Sequence, residues 1–160
     1  MKDGIIYTHI LIESLKKKKT ALKQILEFTK EQENVLGKES FDEEAFEVLI
    51  QKKQEYIDII NKLDEGFEIT FERVKEELGE HREMFKNEIS ELQQLIREVT
   101  DVSTQIQVLE QRNKLAFEKS MHQKREKIKV ARLSSQSVSK YYKNVANAHA
   151  GESIFLDKKK

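Results

Sequence analysis

Apolar residues recur at alternating intervals of three and four along most of the chain, which predicts long amphipathic helices. The longest such stripe lies in residues 82–132, where no proline or glycine interrupts it. Its apolar positions are Phe85, Ile89, Leu92, Leu95, Ile96, Val99, Val102, Ile106, Leu109, Ala116, Phe117 and Met121. A helix of this length, roughly 75 Å, cannot bury its stripe against itself. The rest of the chain must therefore supply partner helices.

Two shorter stripes precede this one and complete the predicted fold. The first helix is predicted over residues 5–36, the second over 41–78 and the third over 82–132. Glycine ends the first two helices, and short connections of this kind join antiparallel neighbours. We predict an all-α fold in which residues 1–132 form an elongated, antiparallel three-helix bundle or coiled coil.

Three local features of the helices leave alternatives open. The second helix can start from a capping box formed by Ser40 and Glu43, or from Asp42 as the cap. Gly66 lies inside the same helix, where a kink or a close helix crossing would explain it. Asn113 lies on the stripe of the third helix, where it is either buried and fixes the register or simply exposed.

The C-terminal part of the chain differs from the predicted bundle. The second helix is too short to cover the third beyond about Ser120, so we expect the third helix to overhang the bundle. Residues 133–160 are rich in serine but keep apolar positions at helical spacing. We predict an amphipathic, partly disordered segment that either docks on a partner and orders there, or folds back and caps the bundle.

Composition and charge narrow the class of protein. Charged residues make up 36% of the 160 residues and aromatic residues 8%, with no proline and no cysteine, which is typical of long helices. Residues 31–110 carry 22 acidic and 9 basic side chains, whereas residues 111–160 carry 4 and 13. Basic ends lying beside an acidic hairpin, or a basic patch for an acidic partner, would explain this pattern. The apolar run Ile5–Ile12 is too short to span a membrane, so we expect a cytoplasmic protein without membrane insertion.

No pattern in the chain indicates catalysis. The four histidines lie on separate segments, and there is no HExxH motif, calcium loop or phosphate-binding glycine loop. We therefore expect no enzyme activity, no metal and no cofactor. The basic region 112–132 lacks aromatic residues interleaved for base stacking, so we expect no nucleic-acid binding.

Several motifs together resemble the FlgN family of flagellar export chaperones, in its Gram-positive, clostridial-type form. KLDEGFE stands at residues 62–68 in the second helix, and IQVLEQRNK at 106–114 in the third. The C-terminal part has SKYYKN at 139–144 and FLDKKK at 155–160. In order and spacing, the resemblance covers nearly the whole chain.

The resemblance implies a cytoplasmic, non-enzymatic chaperone. Such a chaperone binds the C-terminal helices of hook-associated (hook–filament junction) proteins, prevents their premature assembly and delivers them to the export gate, with the export ATPase as a further candidate partner. It also implies a gate-docking tyrosine, which by position is Tyr141 or Tyr142. The alternatives are a chaperone for another client such as the filament cap, or a structural coiled-coil adaptor or stalk of a secretion apparatus. The sequence allows a monomer or a homodimer.

A client helix needs an exposed apolar strip for anchors at i, i+3/i+4 and i+7. The overhanging third helix and the C-terminal segment provide such a strip. The predicted client-binding residues are Met121, Ile128, Leu133, Val138, Tyr142, Val145, Ile154, Phe155 and Leu156.

Overall fold

The structure, a computed structural model, describes residues 2–127 and 140–145. Three long helices account for most of this part of the chain: α1 (Lys2–Leu36), α2 (Glu43–Glu80) and α3 (Lys86–Lys127). No strand occurs among the described residues. The prediction of an all-α helical bundle is therefore confirmed.

α1 is the central helix of the bundle. It packs closely against both α2 and α3, while the backbones of α2 and α3 approach each other much less. Contacts at two levels of α1 show the directions. On α2, Lys18 meets Asp64 and the later Gln32 meets the earlier Lys53. On α3, Lys19 meets Glu98 and the later Thr29 meets the later Asn113. α1 therefore runs antiparallel to α2 and parallel to α3. Large side chains bridge the remaining gap between α2 and α3.

The core consists of two apolar clusters, one in each half of the bundle. The first half-core lies beside the connection between α2 and α3 and includes Leu11, Ile12, Leu15, Phe67, Val74, Leu78, Phe85, Leu92, Leu95 and Ile96. The second half-core lies towards the connection between α1 and α2 and includes Leu22, Ile25, Phe46, Ile50, Ile57, Ile60, Val102, Ile106, Phe117 and Met121. The Lys18–Asp64 ion pair lies on α1 and α2 between the residues of the two clusters.

The helix ends differ in detail from those expected. Asp42 caps α2, since its carboxylate accepts a hydrogen bond from the backbone N–H of Ala45 at 3.0 Å. α3 begins at Lys86 rather than at residue 82, because residues 81–85 form the turn that reverses the chain. Phe85 closes this turn, with its ring buried in the adjacent half-core.

The later start of α3 changes how far α2 covers it. The ammonium of Lys124 lies 2.9 Å from the Glu43 carboxylate at the first turn of α2. α2 therefore covers α3 to about one helical turn beyond Ser120, whereas the sequence led us to expect that the cover ends at Ser120. The predicted overhang beyond Lys127, as far as residue 132, lies outside the described residues.

Candidate docking surface

A short helical segment, residues 140–145, lies against the second half-core. The ring of Tyr141 is part of that core, with 2% of the residue exposed. Tyr142 and Val145 are half-buried and pack against the same cluster. The amide of Asn144 donates a hydrogen bond to the Gln54 side chain of α2 at 3.2 Å. The described part of the C-terminal region thus folds back onto the bundle.

The segment is anchored by a buried polar cluster that crosses all three helices. Lys53 of α2 is 0% exposed, and its ammonium donates hydrogen bonds to the side-chain oxygens of Glu110 and Gln32. It also donates to the hydroxyl of Thr29 on α1 at 3.2 Å. The hydroxyl of Tyr141 donates to the same Glu110 oxygen at 2.6 Å. Side chains from α1, α2, α3 and the segment therefore meet at one level of the bundle.

Burial dominates the electrostatics of this cluster. Loss of solvation lowers the pKa of Lys53 to about 8, although the Glu110 carboxylate beside it acts in the opposite direction. Burial also raises the pKa of Tyr141, with the negative charge of Glu110 as a second cause. The Lys53 ammonium lies 4.0 Å from the centre of the Tyr141 ring, where a cation–π attraction adds to the pairing. The arrangement favours a neutral, hydrogen-bonded tyrosine.

Glu110 is the residue on which the donors converge. Its Oε1 accepts from the Lys53 ammonium and the Tyr141 hydroxyl. The Thr29 hydroxyl, 3.1 Å from Oε1, can donate either there or to the backbone carbonyl of Ile25. Its Oε2 is buried and has no hydrogen-bond partner within the described residues. The donors among the described residues are therefore unevenly distributed, since all of them reach Oε1 and none reaches Oε2.

Asn113 lies one turn from Glu110 and belongs to the same polar layer. It is buried, and its amide donates to the backbone carbonyl of Thr29 at 3.0 Å. Of the two interpretations offered by the sequence, the buried one is therefore correct. The bond joins α3 to α1 at this level of the bundle.

The sequence itself carries a signal for this polar layer. Lys53 falls at the stripe position between Ile50 and Ile57, and Glu110 falls between Ile106 and Phe117. The stripes of all three helices become polar at the same level of the bundle. A charged residue at an apolar position of one helix, matched by an opposite charge on another, predicts a buried pair.

The structure brings only some of the predicted site residues together. Tyr142 and Val145 lie side by side with the core residue Tyr141 in the docked segment. Met121 is 4% exposed and belongs to the core rather than to an open strip. The other predicted client-binding residues lie outside the described part of the chain: Ile128, Leu133, Val138, Ile154, Phe155 and Leu156.

None of the described helices is long and apolar enough to cross a membrane. No group of three or more histidine, cysteine, aspartate or glutamate residues in that part of the chain could hold a metal ion.

The long helices, the buried polar layer and the docked segment define an all-α helical-bundle protein. The sequence model of the FlgN protein family matches residues 1–150. The chain therefore belongs to the FlgN family, and this membership makes it a flagellar export chaperone. No curated protein and no solved structure gave a significant match to the chain.

Proposed function

We propose that this chaperone binds the C-terminal helices of hook-associated proteins in the cytoplasm, prevents their premature assembly and delivers them to the export gate. The proposal rests mainly on the packing of segment 140–145, which lies on the bundle as an additional short helix. Its half-buried side chains Tyr142 and Val145 extend the second half-core to the surface, and a client helix needs an apolar strip at the surface. Family membership supports a role in export.

The proposed client surface includes Tyr142 and Val145. Both residues are half-buried, so each is partly exposed beside the second half-core. The predicted residues Ile128, Leu133 and Val138 precede them in the chain, and the apolar run 154–156 follows. Met121 supports this surface from within the core.

A titration of the full-length protein tests this surface. The probes are synthetic peptides with the sequences of hook-associated C-terminal helices, measured by calorimetry. The Tyr142→Ala/Val145→Ser variant should bind about tenfold more weakly, about 1.4 kcal/mol. Tyr7→Ala is the matched control, since Tyr7 is a half-buried tyrosine beside the opposite half-core.

Three outcomes of the titration would contradict the proposal. Unchanged affinity in the double variant would refute the proposed surface. Stronger binding of a filament-cap peptide would replace the proposed client class. A stable homodimer that ignores all of the peptides would favour a structural adaptor.

For the export gate, we propose Tyr142 as the docking tyrosine. Tyr141 is buried and its hydroxyl is held by Glu110, whereas Tyr142 is partly exposed. Tyr142→Ala should therefore reduce binding to the purified cytoplasmic domain of the gate, while Tyr141→Phe, which keeps the ring, should not. The opposite result would assign the docking role to Tyr141.

A further inference from the structure

A second apolar surface lies between α1 and α2 in the other half of the bundle. It is an open groove of about 670 Å³, to which α1 contributes Ile6 and Ile10 and α2 contributes Leu63. Ile69 lies one turn beyond the groove residue Gly66 on α2 and is 60% exposed. Large aliphatic side chains that are exposed together in this way point to a surface for a partner.

Gly66 leaves a gap in the wall of this groove. α2 continues through Gly66 as one helix, and a Cβ added there would meet nothing within 4 Å. A close crossing of another described helix therefore does not explain the glycine. Glycine lowers helix propensity but allows a ligand to approach the backbone closely. Gly66 therefore lies where a helix from outside the described bundle could pack closely against α2.

Charge identifies the kind of occupant. Lys17 and Lys62 both line the groove, and neither forms an ion pair within the described residues. The neighbouring lysines differ, because Lys18 pairs with Asp64. Glu13, which also lines the groove, lies 3.6 Å from Lys16. Two uncompensated ammonium groups beside an apolar groove favour an acidic partner, and the C-terminal end of a helix is itself negative.

We propose that this groove binds an amphipathic helix of a second protein, with an apolar side chain over Gly66 and an acidic C-terminal end at Lys17 and Lys62. The α1 wall from Ile5 to Lys17 is about 18 Å long and accommodates about three helical turns. Apolar anchors at i, i+3/i+4 and i+7 match this length. The groove is separate from the proposed client surface, so one chaperone can hold two helical partners at once.

The test uses a designed probe and a matched pair of glycine variants. The probe is a labelled helical peptide of about 14 residues, with leucines along one face and glutamates at its C-terminal end. A second peptide carries lysines in place of the glutamates. Binding to the full-length protein is followed by fluorescence anisotropy. Gly79→Leu is the control for Gly66→Leu, because Gly79 is also exposed within α2 and its Cβ would meet nothing within 4 Å.

The expected results separate binding from folding. Both variants should raise Tm, since leucine favours the helix more than glycine does. Only Gly66→Leu should weaken the glutamate peptide, by about tenfold or more. The Lys17→Glu/Lys62→Glu variant should prefer the lysine peptide. Binding of the hook-associated peptides should stay unchanged in Gly66→Leu.

Four results would overturn the proposal. The glutamate peptide could bind equally well to wild type and Gly66→Leu. Light scattering could show a homodimer that only Gly66→Leu dissociates, which would make a second copy the occupant. Anionic lipid vesicles could bind where the peptide does not, which would make a membrane the occupant. Loss of the hook-associated peptides in Gly66→Leu would make the groove the client surface.

Discussion

Replacement of Lys53 by methionine tests whether the buried polar cluster determines stability. The side chains of Lys53 and Glu110 are 0% and 3% exposed, so water cannot replace a lost partner. The variant leaves Glu110 with hydrogen-bond donors but without the positive charge beside it. Removal of one member of a buried pair costs about 3–5 kcal/mol. We expect the free energy of unfolding to fall by about this amount, a large part of the stability of a single domain.

The double variant Lys53→Met/Glu110→Met separates the value of the pair from the penalty of breaking it. Two apolar side chains of similar size remove both charges from the interior. Such replacements are often neutral, or stabilise by about 1–4 kcal/mol. Lys52→Met is the control, since Lys52 is the exposed neighbour on the same helix. It should change stability by less than about 0.5 kcal/mol.

Urea unfolding of the full-length protein at pH 7, followed by circular dichroism, measures all three variants. The reasoning requires that the double variant be more stable than the Lys53→Met single variant. A loss of less than about 1 kcal/mol in the single variant would mean that the pair behaves like a surface ion pair. A double variant less stable than the single one would show that Glu110 contributes stability without Lys53.

Three smaller predictions concern pH and helix α2. Burial lowers the pKa of Lys53 from 10.5 to about 8, so in this pH window the unfolded chain binds more protons. Between about pH 8 and pH 10.5, the free energy of unfolding of wild type should therefore rise with pH relative to that of Lys53→Met/Glu110→Met. Above about pH 10, the raised pKa of Tyr141 should lower the free energy of unfolding of wild type. Urea unfolding at a series of pH values measures both effects. Asp42→Ala removes the cap on Ala45 and should lower the free energy of unfolding by about 1 kcal/mol, whereas Asp42→Asn should retain most of it. Gly79→Ala should raise the free energy of unfolding by up to about 1 kcal/mol, because alanine favours the helix and a Cβ there meets nothing within 4 Å. Thermal unfolding measures this, and a lower stability would contradict the open surroundings of Gly79.

The helices and their faces could be predicted from the sequence because spacing determines them. A three-or-four interval places Phe46 and Ile57 on the same face of α2, whatever they pack against. Local signals are weaker at the ends, where Ser40 and Asp42 compete as caps. The start of α3 at Lys86 depends on how residues 81–85 reverse the chain, and spacing does not report on that turn.

The candidate site could be predicted only in part, because it depends on long-range contacts. The sequence marks Tyr141 and Tyr142 as unusual, but adjacent residues on a helix point about 100° apart. Which of them is buried depends on Glu110, 31 positions away from Tyr141. Local periodicity also does not predict that Glu110 pairs with Lys53, which lies 57 positions away in the chain. An explicit search for opposite charges at stripe positions would have found this pair.

The parallel packing of α1 against α3 has a consequence for how the chain folds. Contacts between α1 and α2 at the polar layer join residues as few as 21 positions apart, as in Lys53 with Gln32. Contacts between α1 and α3 join residues about 80 apart: Lys19 with Glu98 is separated by 79 positions and Thr29 with Asn113 by 84. Contacts between distant residues form late in folding, because closing a long loop costs more conformational entropy than closing a short one. During synthesis on the ribosome, we therefore expect the α1–α2 hairpin to form before α3 has emerged. The Lys53 ammonium then meets Glu110 only when α3 packs, and Tyr141 joins them after that.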